Sequence, residues 1–141
     1  PGTVNVIAGK VECTLDLRDL DARKIDALFT KIEAESRKIG AMNGTTFTFA
    51  QYANNVPAPT APAIRAMVAA AATELGLSHK TMPSGAGHDA QELAQICPVG
   101  MIFVPSIGGI SHAPKEFSRP ADITNGANVL LNTLLKLDAA P

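Results

Sequence analysis

The chain has 141 residues, 46% of them hydrophobic, and a formal net charge of -1. That is enough apolar material to bury one core or parts of two, with no basic face to suggest nucleic acid or anionic lipid as a partner. No apolar run approaches the roughly 20 residues of a membrane span, and Cys13 and Cys97 fit no CxxC or zinc-ribbon spacing, so both read as small buried hydrophobes in a reducing compartment.

The opening Pro1-Gly2-Thr3 has no initiator Met and runs straight into a strand-like stretch, which reads as a cut through a larger protein. Residues 3–18 predict a β-hairpin. Val4 and Val6 alternate with other residues, Ala8-Gly9 is a turn signal, and Val11, Cys13, Leu15 and Leu17 alternate with Glu12, Thr14, Asp16 and Arg18. The polar face reads as solvent-facing. A guanidinium at its end is nevertheless suited to grip a carboxylate with two parallel hydrogen bonds.

Residues 20–40 predict an amphipathic helix capped by Asp19 or Asp21. Its stripe is Ile25, Leu28, Phe29, Ile32 and Ile39, and Gly40 ends it or begins its end. Asn43-Gly44 is a turn, and the alternation of Phe47 and Phe49 predicts a strand over 45–52. The segment 53–62, with Pro57, Pro59 and Pro62, reads as an inter-domain linker. Thr60 is placed to cap a helix that has Pro62 in its first turn, continues through an alanine run and stops at Gly76. So much alanine implies close packing against another element.

Two loops carry candidate chemistry. In Pro83-Ser84-Gly85-Ala86-Gly87-His88-Asp89-Ala90, small residues allow a ligand to approach the backbone. His88 and Asp89 are placed at a short helix's N-terminus, where free N–H groups favour negative charge. The bland alternative is a glycine-rich loop with Asp89 as a helix cap. Met101 to Val104 then predicts a buried strand, and Gly108-Gly109 a loop that delivers Ser111 and His112 past the strand's carboxyl end. In open α/β sheets ligands bind there, and a histidine so placed is either a functional group or a surface residue. His79 is assigned to the surface. Ser118 is placed to cap a last helix with Pro120 in its first turn and a broad apolar face of Val129, Leu130, Leu131, Leu134, Leu135 and Leu137.

Taken together, NVIAGKVECTLDLRD, SGAGHDAQ and PVGMIFVPSIGGISHAPKE resemble the carboxyl-terminal part of the M20-type amidase/hydantoinase/carbamoylase family. That family includes N-carbamoyl-L-amino acid hydrolases, allantoate amidohydrolases and β-ureidopropionases. Ala8 stands where the family usually has proline. The resemblance implies a three-layer αβα catalytic domain of α/β class, into which a smaller α+β lid and dimerisation domain is inserted. Residues 1–56 would be the last part of the inserted domain and 57–141 the carboxyl-terminal part of the catalytic one. It implies two divalent metal ions, zinc or manganese, with cobalt or nickel as substitutes. It further implies a small ureido or N-carbamoyl substrate, a homodimer and a cytoplasmic enzyme.

The resemblance assigns His112 to a metal, His88 to catalysis and substrate contact together with the Gly87 backbone, and Arg18, assisted by Asn5, to the substrate's carboxylate. Hairpin arithmetic alone would set Asn5 near Glu12. The family's other ligands and its glutamate base come from earlier in the polypeptide. This chain by itself is therefore expected to be inactive and metal-free, with the amino-terminal half of the same protein as its partner. The alternatives are a fragment of an M20 aminoacylase or peptidase, against which SGAGHDAQ and the NVIxG motif argue, and a non-catalytic association module.

Overall fold

The computed structural model describes residues 4–139. Thr3, at the edge of the expected hairpin, and the opening Pro1-Gly2 lie outside them. The backbone forms two compact units, residues 1–50 and 51–141. Its elements are helices α1 (Ala22–Asn43), α2 (Pro62–Glu74), α3 (Ala90–Leu93) and α4 (Pro120–Asp138), with a single 3-10 turn over Ile107–Gly109.

Among the described residues there is no β-strand. The expected hairpin over 3–18 and the strands over 45–52 and 101–104 are therefore corrected: these stretches are irregular. The layered α/β and α+β arrangement therefore has no sheet to display it among the described residues. The alternating pattern encodes which side chains share a face. A strand also needs a neighbour whose N–H and C=O groups complete its ladder, and no such neighbour is supplied among the described residues.

In the first unit α1 begins at Asp21, whose carboxylate accepts from the Arg23 N–H at 3.0 Å. Of the two readings of Gly40, the helix stop is not taken: α1 runs on to Asn43. Gly44 then takes a left-handed φ of 67° and returns its N–H to the Gly40 carbonyl. Gly40 instead serves packing. It is buried, and a Cβ there would lie 2.4 Å from the Thr45 carbonyl oxygen, so the chain leaving α1 folds back over a residue without a side chain. The covered stripe is Ile25, Phe29, Ile32, Ser36 and Gly40, at helical spacing, whereas Leu28 and Ile39 are exposed. Phe49 meets Phe29 edge to face at 5.5 Å, and Phe47 reaches over Gly40. The Phe47/Phe49 alternation thus finds its packing on α1 without forming a ladder.

The Asp21 cap has a pH signature. The Arg23 guanidinium and backbone N–H hold the Asp21 carboxyl below its ordinary range. A group with a depressed native pKa stabilises the fold above its unfolded pKa and loses that contribution as pH falls through the native value. The first turn of α1 is therefore expected to loosen below about pH 4. Amide exchange at residues 22–25 should show the loosening in the native protein and a much flatter profile in Asp21→Asn.

The second unit is built on α2 against α4. Ala71, Ala72 and Val129 form its buried cluster, with Val68, Leu77 and Ile102 packed on it. The alanine run is the contact surface, because residues with so little side chain let two helices approach closely. The approach selects the small-residue side of α4: Gly126, Val129 and Thr133 are covered, while Leu130, Leu131, Leu134 and Leu135 are exposed. The broad apolar face expected of α4 is thus mostly uncovered among the described residues. Only Val129 of that set is buried, since a leucine stripe would hold α2 away. Lys136 Nζ donates to Glu74 Oε1 at 2.7 Å and ties the two helices.

Neither proline-led helix uses its expected cap. Ala61 precedes α2 and Arg119 precedes α4, both without a side-chain capping bond. Thr60 instead accepts from the Arg65 guanidinium through both its carbonyl and its hydroxyl.

The apolar stretch 99–104 crosses this helix pair. Val99 is buried and its carbonyl accepts from the Ala61 N–H at 2.8 Å. Two glycines make the crossing possible. A Cβ on Gly100 would lie 2.3 Å from Ile64 Cγ2, and one on Gly126 would lie 2.4 Å from Val104 Cγ1. Cys13 and Cys97, expected to be buried, are both exposed free thiols. Cys13 lies in an irregular stretch with no opposing strand to cover it. Cys97 follows the one-turn helix α3 and donates weakly to the Leu93 carbonyl at 3.4 Å.

Candidate active-site residues

Arg18 lies in the first unit, where two of its nitrogens clasp one carboxylate. Nε donates to Asp16 Oδ1 at 2.9 Å and Nη2 to Asp16 Oδ2 at 2.5 Å. This hydrogen bonding, with the attraction of opposite charges, holds the Asp16 carboxyl below its usual range and raises Arg18 above its own. Arg18 therefore already displays the bidentate grip a substrate carboxylate would use. Asn5 sits in the turn at the start of the described residues and is exposed.

In the second unit the small-residue loop folds back on itself. Ser84 Oγ accepts from the Ala86 N–H at 3.2 Å and lies 2.8 Å from His88 Nε2. The His88 backbone N–H donates to Gln91 Oε1 at 3.2 Å, and Gln91 Nε2 donates to the Val56 carbonyl at 3.2 Å. Phe103 turns its ring edge-on to the imidazole, with centroids 5.5 Å apart at 62°. Gly87 leaves its Cβ position open apart from the Gln91 amide 3.4 Å away. His88 is half-buried, close enough to the surface to meet a ligand and tied enough to hold one orientation. Asp89 precedes α3 but makes no side-chain cap, and α3 has four residues. The expected helix-terminal field is therefore that of a single turn, and the capping role suggested for Asp89 is not taken up.

His112 stands in a loop closed by the Ile107 N–H to the Phe117 carbonyl at 2.9 Å and by Ser106 Oγ to the Ile110 carbonyl at 2.6 Å. Gly108 and Gly109 turn the chain with φ of 67° and 68°. His112 itself has φ 55°, the left-handed region that His enters more readily than most side-chain-bearing residues. Its N–H donates to Glu116 Oε2 at 2.7 Å, so the glutamate of SHAPKE fixes the turn that presents the histidine. The imidazole is exposed.

A zinc centre takes three or four protein donors. Among the described residues no three His, Cys, Asp or Glu side chains gather to hold a metal ion. His112 could supply at most one donor, and the described residues do not by themselves fit a metal pair. His79 is exposed, as expected. Ser84, Gln91, Phe103 and Glu116 are the participants that motif reading left without roles, although all four lie inside the motif strings. No helix among the described residues is long and apolar enough to cross a membrane.

Comparison with known proteins gives the chain its relatives. The sequence profile of peptidase family M20/M25/M40 matches residues 2–136. The ureidoglycolate hydrolase of Arabidopsis thaliana is 39% identical over 138 residues, covering 97% of this chain and 29% of that protein. The N-carbamoyl-L-amino acid amidohydrolase of Geobacillus stearothermophilus is 38% identical over 137 residues, covering 97% of this chain and 34% of that protein. A crystal structure of an amidase of the hydantoinase/carbamoylase family from Burkholderia vietnamiensis superposes with a TM-score of 0.68 at 42% identity, covering 84% of this chain and 28% of that one. The chain thus spans about a third of the length of the relatives it matches.

Proposed function

The chain belongs to peptidase family M20/M25/M40, and from that premise we propose that it is the carboxyl-terminal part of an amidohydrolase cleaving a linear C–N bond of an N-carbamoyl amino acid or an allantoate-like ureido compound. The observation that carries the reading is the imidazole of His88, held by Ser84 and bordered by Phe103, inside the SGAGHDAQ stretch that resembles the amidohydrolase family. Residues 1–56 are proposed as part of an inserted lid and dimerisation domain, 57–141 as part of the catalytic domain, and the complete enzyme as a cytoplasmic homodimer. Two divalent ions, zinc or manganese, belong to the complete enzyme, with His112 as one donor and the others from further segments of the polypeptide.

In this reading His88 donates a hydrogen bond to the oxygen on which negative charge develops as the carbonyl is attacked, the Gly87 backbone lies against the substrate, and Arg18, with Asn5, fixes the carboxylate. Arg18 would exchange Asp16 for the substrate, one bidentate partner for another, which limits the net gain and leaves orientation as its main contribution. In the complete enzyme Arg18→Ala is expected to raise KM on an N-carbamoyl amino acid about tenfold or more. Unaltered KM and kcat would remove Arg18 from the site.

A second reading, an association module, has one observation in its favour: Leu130, Leu131, Leu134 and Leu135 are all exposed on α4. Catalytic turnover by the complete protein separates the two.

A further inference from the structure

Ser84 and Gln91 belong to the same motif as His88, yet the proposed chemistry leaves both idle. Their contacts reach His88 from two sides. Ser84 Oγ already accepts the Ala86 N–H, and it lies 2.8 Å from His88 Nε2, so its own proton is within reach of that nitrogen. Gln91 works on the backbone: its carbonyl oxygen takes the His88 N–H while its amide nitrogen is anchored on the Val56 carbonyl. Phe103 lies beside the ring in an edge-to-face arrangement, with centroids 5.5 Å apart.

We infer that Ser84 and Gln91 are positioning residues that set the tautomer and the aim of His88: Ser84 donates to Nε2, so the ring carries its proton on Nδ1 and presents that N–H to the substrate, while Gln91 fixes the backbone from which the ring projects. This rests on the amidohydrolase reading for its catalytic consequence, but the tautomer is a property of the chain itself. A neutral imidazole donates from one nitrogen and accepts at the other. Occupation of Nε2 by a hydroxyl donor therefore decides which nitrogen is left to donate. The two bonds of Gln91 are separable by chemistry, because Gln91→Glu keeps the acceptor for the His88 N–H and loses the donor to Val56.

The experiment has two arms. In the first, 15N spectra of the 141-residue chain with labelled histidine read the His88 tautomer. The native chain should show the proton on Nδ1, Ser84→Ala should lose that preference, and Ser84→Thr, which retains a hydroxyl, should keep it. A native His88 protonated on Nε2, or a Ser84→Ala spectrum identical to the native one, overturns the inference.

In the second arm the complete enzyme is assayed on an N-carbamoyl amino acid. Ser84→Ala and Gln91→Ala should lower kcat about 10- to 100-fold with KM nearly unchanged, as displacement of a reacting group by about an ångström does. Ser84→Thr should restore most of the loss, and Gln91→Glu should fall between native and Gln91→Ala. Full kcat in Ser84→Ala overturns the positioning role. A native enzyme inactive on N-carbamoyl amino acids and on allantoate sinks the functional reading instead, and the tautomer measurement then decides the inference alone.

Discussion

Replacing His88 with alanine in the complete enzyme should lower kcat on an N-carbamoyl amino acid by about 100- to 1,000-fold, the usual loss when one donor to a developing oxyanion is removed. The expectation starts from local structure. The imidazole is half-buried, its ring nitrogen is tied to Ser84, and its backbone is tied to Gln91. Those bonds are formed before any substrate arrives, so the donor costs little to orient during the reaction. KM should move less than kcat, because a contact that strengthens as charge develops acts mainly on the transition state. His79→Ala supplies the control. His79 is exposed to solvent and lies outside the motif loop, and its removal should leave both constants unchanged. Equal kcat for native and His88→Ala protein would eliminate His88 as the donor.

Gly100→Ala should destabilise the second unit by about 1–3 kcal/mol, the range for overpacking a filled interior. The new methyl would sit 2.3 Å from Ile64 Cγ2 and 3.3 Å from Ile64 Cβ. Ile64 is β-branched and lies in α2, where its χ1 is nearly confined to one rotamer, so the clash cannot be relieved by swinging the side chain alone. The backbone at 99–101, bonded to Ala61, has to shift.

Gly126→Ala makes a useful contrast. Its methyl would meet Val104 Cγ1 at 2.4 Å, but Val104 Cβ is 4.0 Å away and Val104 lies outside any helix, so a rotamer change offers relief. Alanine also gains about 1 kcal/mol of helix propensity over glycine within α4. The net effect of Gly126→Ala should therefore be clearly smaller than that of Gly100→Ala. Chemical denaturation of both variants measures the difference. A double variant, Gly100→Ala with Ile64→Ala, should show a favourable coupling between the two sites, and strict additivity would disprove the steric account.

These cases show why some parts of the molecule were legible in the sequence and others were not. The helices were readable because period and punctuation are local: Asp21 before α1, Pro62 and Pro120 opening α2 and α4, and Gly76 with φ 69° after α2 all act through neighbours in the chain. The last residue of α1 is not legible in the sequence because Gly40 carries a packing role that depends on Thr45 folding back over it, and a glycine's purpose is not written in its neighbours. The strands were overread because alternation records a buried face and says nothing about whether a ladder partner is present. The leucines of α4 illustrate a similar limit. A large apolar face signals that something covers it, yet the contact actually formed is chosen by which side lets Ala71 and Ala72 approach.

The same division holds at the candidate site. The order and spacing of residue types in SGAGHDAQ and SHAPKE were sufficient by themselves to single out His88 and His112 and to suggest the family, since a motif is a statement about local chain geometry and chemistry. The tertiary structure decided what each histidine is tied to. It set Ser84 on the ring nitrogen, Phe103 beside the ring, Val56 behind Gln91, and Glu116 beneath His112. The Val56 and Phe103 contacts join residues far apart in the chain, so only packing can specify them. The contacts of Ser84 and Glu116 are close in sequence, but they depend on the loop's fold, which the glycines permit in many forms and the packed chain holds in one.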